Sequence, residues 1–365
     1  MRRRREVGAF AVLAVFVIEN QCGLGAADRQ QLAVHFLEQG HFDRALVEAR
    51  RAAREDGGAS QPHVIAALAY LGLEQLDDAV AQLLEAVEQS PDDPRLYETL
   101  RRVCAEQQRL DLARDALTGL AARQPGNRLA QAALGWVQLE TGQTGPAIDL
   151  LEAAADGDSV LAPAGRAFAR LALGQAYMAA GRYGDAAAAL REAARLDSGD
   201  ARLHLTLGEC HLRQGDDDGA AAAFGRALAL APEPGAAAAR VAQLYYDQGR
   251  RRQAIGYYEQ ALRQLPGRAM LLNNLAWAYA EENLELARAE GLSLAAVKEE
   301  PGSVVYLDTY AEILCRRGRS DRAVAVMRRA LELEPPEGEN YRYLHDQMAR
   351  FRLAAGVPAA ADSLL

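Results

Sequence analysis

The feature that most constrains this chain is a period. Gly181, Gly215 and Gly249 follow one another at steps of 34 residues, and Gly40 to Gly142 spans three such steps, with less regular turns around Glu74 and Gln108. Gly318 marks a further turn. Five residues beyond each turn stands an alanine: Ala45, Ala79, Ala113, Ala147, Ala186, Ala220, Ala254 and Ala323. Seven residues later alanine recurs at Ala52, Ala86, Ala154, Ala193, Ala227, Ala261 and Ala330. Prolines at Pro91, Pro125, Pro232, Pro266, Pro301 and Pro335 supply the helix stops. A repeat of this length holds two helices and a turn, and one such hairpin buries too little apolar surface to stand alone. Stacked hairpins share a continuous core. The composition fits: half of the 365 residues are hydrophobic but only 6% are aromatic, as expected for helices packed closely through alanine.

The first helix of the unit carries Leu-Gly, as in Leu134-Gly135, Leu173-Gly174 and Leu207-Gly208, where glycine lets a neighbouring helix approach. A large residue three places on (Tyr70, Tyr177, Tyr245, Tyr279) fills the space between helices. Together these features resemble the tetratricopeptide repeat, over roughly residues 28 to 355. The resemblance implies an all-α fold, a right-handed superhelical solenoid of about nine tetratricopeptide repeats with a C-terminal capping helix. The units read as 26–59, 60–93, 94–127, 128–161, 167–200, 201–234, 235–268, 269–303 and 304–337. The third is the weakest, with Arg101 where glycine or alanine is usual, and the eighth carries about one extra residue. Units one to four fill 28–161 and units five to nine fill 162–337; the capping helix covers 338–356 and a tail covers 357–365.

One step breaks the rhythm. Gly142 and Gly181 are 39 residues apart, and the surplus falls in a Gly-, Pro- and Asp-containing stretch, residues 156–165. It reads as a loop that extends an otherwise continuous stack, with a hinge as the alternative.

Residues 1–27 have the layout of an export signal or a short membrane anchor. Four arginines, Arg2 to Arg5, precede the apolar run Gly8 to Ile18, and Gly25-Ala26-Ala27 offers small residues for cleavage ahead of Asp28. Cys22 raises lipidation as a further route, although Glu19-Asn20-Gln21 departs from a lipoprotein signal. The expected location is therefore exported, periplasmic or membrane-associated in a bacterium, with a mispredicted start and a cytoplasmic protein as the alternative.

No catalytic constellation is found. The six histidines show no metal spacing; His204 and His211 could share a helix face but occupy framework positions. Cys104, Cys210 and Cys315 are far apart and read as packing residues. Asp216-Asp217-Asp218 lacks the alternating ligands of a calcium loop. No cofactor or metal is expected, and the net charge of -9 argues against nucleic acid.

The family resemblance implies that the first helices line a concave groove. Helical periodicity then selects the side chains facing it, those two, five, nine, twelve and thirteen places into each unit. The candidates are Trp136, Leu139, Gln175, Met178, Glu209, Leu212, Arg213, Gln243, Tyr246, Asn273 and Trp277. Aromatic anchors ringed by polar groups suit a peptide groove, and Trp136 is the stronger candidate of the two tryptophans, packing against a neighbouring unit being the alternative for both. Lys298 is the sole lysine, so a lysine-based clamp for a C-terminal carboxylate is not expected. The expected function is a non-enzymatic adaptor or scaffold for a protein or peptide. Residues 273–280 and 307–310 resemble the terminal portion of repeat proteins of envelope, exopolysaccharide or protein-sorting loci. An envelope or membrane protein is thus the expected partner. A cytoplasmic scaffold, or a polysaccharide-secretion accessory using Trp136 and Tyr246, remains open.

Overall fold

A computed structural model describes residues 26–156 and 161–356. Its helices are α1 (Ala26–Glu38), α2 (Phe42–Glu55), α3 (Gln61–Gly72), α4 (Leu76–Gln89), α5 (Pro94–Glu106), α6 (Leu110–Arg123), α7 (Arg128–Glu140), α8 (Thr144–Ala155), α9 (Pro163–Ala179) and α10 (Tyr183–Leu196). They continue as α11 (Ala201–Gln214), α12 (Asp217–Leu230), α13 (Pro234–Asp247), α14 (Arg251–Gln264), α15 (Ala269–Glu281), α16 (Leu286–Glu299), α17 (Val304–Arg316), α18 (Ser320–Leu333) and α19 (Tyr341–Ala354). Among the described residues there is no strand. Each odd-numbered helix up to α17 pairs with the next to form a hairpin, and α19 closes the array. Cys22, most of the expected leader and the tail lie outside the described residues; the expected cut after Ala27 would fall in the first turn of α1.

Every hairpin turn is built the same way. The amide just past the turn reaches back five residues to a carbonyl near the end of the first helix, which satisfies an acceptor the helix cannot use itself. His41 donates to Phe36 at 2.8 Å, Arg182 to Tyr177 at 2.8 Å and Arg319 to Leu314 at 2.9 Å. The turn requires a left-handed residue, supplied by glycine at Gly40, Gly142, Gly181, Gly215, Gly249 and Gly318. In the other three hairpins Glu74, Gln108 and Asn283 adopt the same conformation, with φ of 60°, 58° and 52°. The two turns that looked irregular in the sequence therefore have the common backbone. The surplus residue of the eighth unit is accommodated beside Asn283, where Glu285 is also left-handed, with φ of 38°.

The second-helix alanines sit at the tightest contacts: Ala45, Ala79, Ala113, Ala147, Ala186, Ala220, Ala254 and Ala323 are wholly buried. The first-helix glycines receive a large side chain from the second helix of their own hairpin. A Cβ on Gly135 would lie 2.7 Å from Leu151, on Gly174 2.6 Å from Leu190, and on Gly208 2.5 Å from Phe224.

The described chain divides into two compact units, one ending at Gly199 and the other beginning at Asp200. In the first unit, α9 packs against both α7 and α8 across the loop, of which residues 157–160 lie outside those described. At 17 residues α9 is longer than its counterparts, and it also touches α5, two hairpins earlier. In the second unit, Phe224, Tyr245, Tyr258 and Tyr279 anchor one core cluster. The closing helix α19 buries Leu344, Met348 and Phe351 against Leu307 and Met327, burial worth about 1.5–3 kcal/mol for each large apolar side chain.

Candidate functional site

The face formed by the first helices differs between the two units. In the first its apolar members are buried, while Arg95 and Glu106 of α5, in the same register, are exposed. Val64, Leu68, Trp136, Phe168 and Leu171, all in the selected register, are buried. Around Trp136, α9 and α5 both approach α7. Phe168 meets the indole of Trp136 with ring centroids 5.1 Å apart, and the guanidinium carbon of Arg101 lies 4.5 Å from the ring centre. Arg101 also pairs with Glu140, whose carboxyl is raised by burial against the opposing pull of that arginine. Trp136 is left with 5% of its surface exposed. It is a packing residue between hairpins, which corrects the expectation of an open anchor. Arg101, the residue that weakened the third repeat in the sequence, is what caps it. Leu139, Gln175 and Met178 are half-buried at the margin.

The second unit keeps this face open and polar. Tyr246 donates to Glu281 at 2.5 Å, and Arg251 donates to the same carboxylate at 2.7 Å while lying 5.7 Å from the Tyr246 ring centre. Burial first, then the bond to Glu281, push the Tyr246 hydroxyl up to about 12. Burial alone would raise Glu281, but its bonds from Arg251 and Tyr246 bring it below its ordinary value. Trp277 is half-buried, with Arg316 5.6 Å from its ring centre. Arg316 donates to Glu312 at 2.7 Å, and Arg350 of the closing helix pairs with the same carboxylate. Glu209 pairs with Arg213 at 3.0 Å. Gln243 donates to Asp247 at 2.7 Å. Two expected contact residues are buried here: Leu212 belongs to the core, and Asn273 lies under the face.

Of the eleven expected residues, Gln243, Tyr246 and Trp277 thus come together on neighbouring first helices with Asn273 beneath them. Trp136, Leu139, Gln175 and Met178 belong to the closed face. Met270 and Val305, 57% and 62% exposed, were missed, although both stand two places into their repeats, in the register itself. Tyr343 and Arg350 were missed because the closing helix was read only as a cap. Reading α19 as the first helix of an incomplete repeat would have placed both.

Nothing in the described residues is arranged for catalysis. No group of three or more His, Cys, Asp or Glu side chains could hold a metal ion. Burial pushes the Cys104 thiol up to about 11, far from a reactive thiolate. His204 is buried, and His211 lies 2.8 Å from Asp216 in a hairpin turn. No described helix is long and apolar enough to cross a membrane.

Tetratricopeptide-repeat family models match residues 36–103, 171–236, 241–304 and 311–341, together more than half of the chain. Among solved structures, the chain is similar to the MamA protein at 23% identity, over 48% of this chain and 92% of that one, with a TM-score of 0.39. It is also similar to a tetratricopeptide repeat protein from Parabacteroides merdae (14% identity, 70% and 98% covered, TM-score 0.44). A third is the APC/C hetero-tetramer Cut9-Hcn1 (14% identity, 95% and 83% covered, TM-score 0.48). No curated protein matches the sequence significantly.

Proposed function

The chain belongs to the tetratricopeptide-repeat family, and we propose that it is an adaptor holding a protein or peptide on the first-helix face of its second unit. The contrast between the two faces carries this reading. The first unit spends its apolar register on itself, with Trp136 buried against Phe168 and Arg101. The second leaves Met270 and Val305 exposed beside polar groups held in place by hydrogen bonds, such as Tyr246 and Glu281. Apolar contact area beside preorganised polar groups is what an extended peptide uses.

The pathway we favour is assembly or regulation of a bacterial envelope complex. It is supported by the arginine-rich start followed by an apolar run, and by the resemblance of residues 273–280 and 307–310 to envelope-associated repeat proteins. A saccharide ligand is less well supported, because the enclosure of Trp136 removes one of the two aromatic contacts it needs.

The test is crosslinking and affinity capture from native cells, comparing the natural chain with a Tyr246→Ala, Trp277→Ala double variant whose fold is checked by circular dichroism. The N-terminal peptide of the captured chain is read in the same experiment. A specific envelope protein captured by the natural chain and lost from the folded variant is the expected result. Equal capture by both moves the binding site off this face. An intact leader in the soluble fraction points to a cytoplasmic scaffold.

A further inference from the structure

A stack of hairpins has a free side at each end, and the two ends of this chain differ. At the C-terminal end α19 packs over the last hairpin. At the start, no described element covers the outer side of α1. The inner joints show what covers the same side elsewhere. The eleventh residue of a first helix meets the second helix of the preceding hairpin: Tyr177 meets Glu152 of α8, Tyr245 meets Phe224 of α12, and Tyr279 meets Glu259 of α14. One turn earlier, the seventh residue is buried, as at Leu173, Val241 and Leu275. In the first hairpin these two places are Leu32 and Phe36, one turn apart on α1. Leu32 is 42% exposed where Leu275 is 1% exposed. Phe36 is half-buried where Tyr279 is buried.

The joint beneath α14 matches this end face in kind. There α14 packs on α15, and Leu275 and Tyr279 share a core cluster with Tyr258 and Ala261 of α14. Arg288, on α16, bonds to the Tyr279 hydroxyl at 2.7 Å and pairs with Glu259 of α14 at 2.6 Å. Arg44 holds the same place on α2, since each arginine stands one residue before a buried alanine, Ala45 or Ala289. The Arg44 guanidinium carbon lies 5.8 Å from the centre of the Phe36 ring, as that of Arg288 lies 5.2 Å from the centre of Tyr279. Arg44 is exposed and forms no ion pair among the described residues. Leu32, Phe36 and Arg44 thus repeat Leu275, Tyr279 and Arg288 without the helix that brings the carboxylate. Val47, one turn on from Arg44, is 48% exposed and adds apolar surface. Its counterparts on later second helices include Ala81, Asp115 and Ala188, all small or charged.

We infer that this end of the array is a second docking surface, which receives an amphipathic helix of a partner protein in the place of a preceding second helix. The apolar side of that helix lies on Leu32, Phe36 and Val47, and a carboxylate on it pairs with Arg44. Phe36 has no hydroxyl to share the carboxylate, so Arg44 holds it alone and the apolar contacts carry most of the binding. Charge complementarity selects the occupant: the apolar run Gly8 to Ile18, ahead of α1 in the sequence, contains no carboxylate. The surface lies apart from the first-helix face of the second unit, so it stands or falls independently of the adaptor reading for that face.

The probe is α14 itself, as a fluorescent synthetic peptide of residues 251–264 stapled on its solvent side to hold it helical, titrated by anisotropy into the full chain. Saturable binding is expected. Leu32→Asp should weaken it about tenfold or more, the scale of one buried leucine, and Arg44→Gln about threefold, the scale of an exposed ion pair. Glu259→Gln in the peptide should match the effect of Arg44→Gln and add nothing to it. Unchanged thermal unfolding of both chain variants separates lost binding from lost fold. Absence of binding, or binding indifferent to Leu32→Asp or to Arg44→Gln, overturns the inference. Maleimide labelling of a Leu32→Cys chain, read at that residue by mass spectrometry, checks that the face is free. Protection at every protein concentration would assign it to the residues ahead of α1, and protection that grows with concentration would assign it to a second copy. Either result overturns the partner helix.

Discussion

The Tyr177 hydroxyl donates to the Glu152 carboxylate at 2.6 Å, across the joint between the fourth and fifth hairpins. Arg182 lies over the same ring, 4.3 Å from its centre. The arrangement recurs between the seventh and eighth hairpins, where Tyr279 donates to Glu259 and Arg288 bonds to the tyrosine oxygen at 2.7 Å. The tyrosine that fills the space between helices therefore also staples one hairpin to the next. In a stack, each joint contributes its own nearest-neighbour term. Tyr177→Phe removes the bond but keeps the packing, and is expected to cost about 1 kcal/mol, since the site is half exposed. Urea unfolding of the variant against the natural chain measures it.

Several of these hydroxyls lose their protons late. Burial is the leading cause that pushes Tyr97, Tyr177, Tyr245, Tyr246 and Tyr258 up to about 12, against an ordinary value of 10.0. Between these values the unfolded chain binds fewer protons than the folded one, so stability falls as pH rises. The contribution is fully present below pH 10 and is lost as pH approaches 12. Melting temperature should therefore decline steeply in this window, and tyrosinate absorbance should rise together with the loss of helical circular dichroism. Ionisation of these tyrosines well before unfolding would contradict it.

The closed and open faces can be distinguished with the protein's own tryptophans. A Trp277→Phe chain reports Trp136 alone, and a Trp136→Phe chain reports Trp277. Trp136, enclosed by Arg101 and Phe168, is expected to resist acrylamide quenching. Trp277, half-buried with Arg316 across one side, should be quenched more readily. Equal quenching would remove the distinction on which the placement of the binding face rests.

The hairpin turns give a prediction of opposite sign at chemically different residues. Glu74 and Gln108 hold left-handed backbone that costs a side-chain-bearing residue about 1–2 kcal/mol, while glycine adds unfolded-state freedom worth about 0.5–1 kcal/mol. Glu74→Gly and Gln108→Gly should each stabilise the chain by about 0.5–1 kcal/mol, and Gly215→Ala should destabilise it by about 1 kcal/mol. Thermal unfolding of the three variants decides this.

Period and alanine spacing made the hairpins readable because they record sterics: a small residue is needed wherever two helices cross. The turn at Asn283 was less legible, since a left-handed conformation can be imposed on asparagine by the same carbonyl-to-amide bond that glycine accepts more cheaply. Register places Gln243, Tyr246 and Trp277 on the first-helix face, because it depends on helical geometry within a repeat. It could not tell that Trp136 would be buried, because that depends on side chains of the two adjacent hairpins, Phe168 and Arg101, meeting its ring. Arg101 looked like a defect in the repeat; only its contact with Trp136 and Glu140 gives it a role.

The glycine of the first helix provides the last prediction. A Cβ on Gly208 would lie 2.5 Å from the ring of Phe224, which is fully buried and has nowhere to move. Alanine gains about 1 kcal/mol of helix propensity over glycine, but overpacking costs about 1–3 kcal/mol, so Gly208→Ala should be destabilising by about 1 kcal/mol. Gly225, also helical and with nothing within 4 Å of its Cβ position, should show the propensity gain alone when changed to alanine. Phe224→Ala is costly by itself, but it empties the space, and on that background Gly208→Ala should become neutral or stabilising. A double-mutant cycle by urea unfolding reads the change of sign. If Gly208→Ala is equally destabilising with and without the Phe224 ring, the glycine is required for some reason other than this contact.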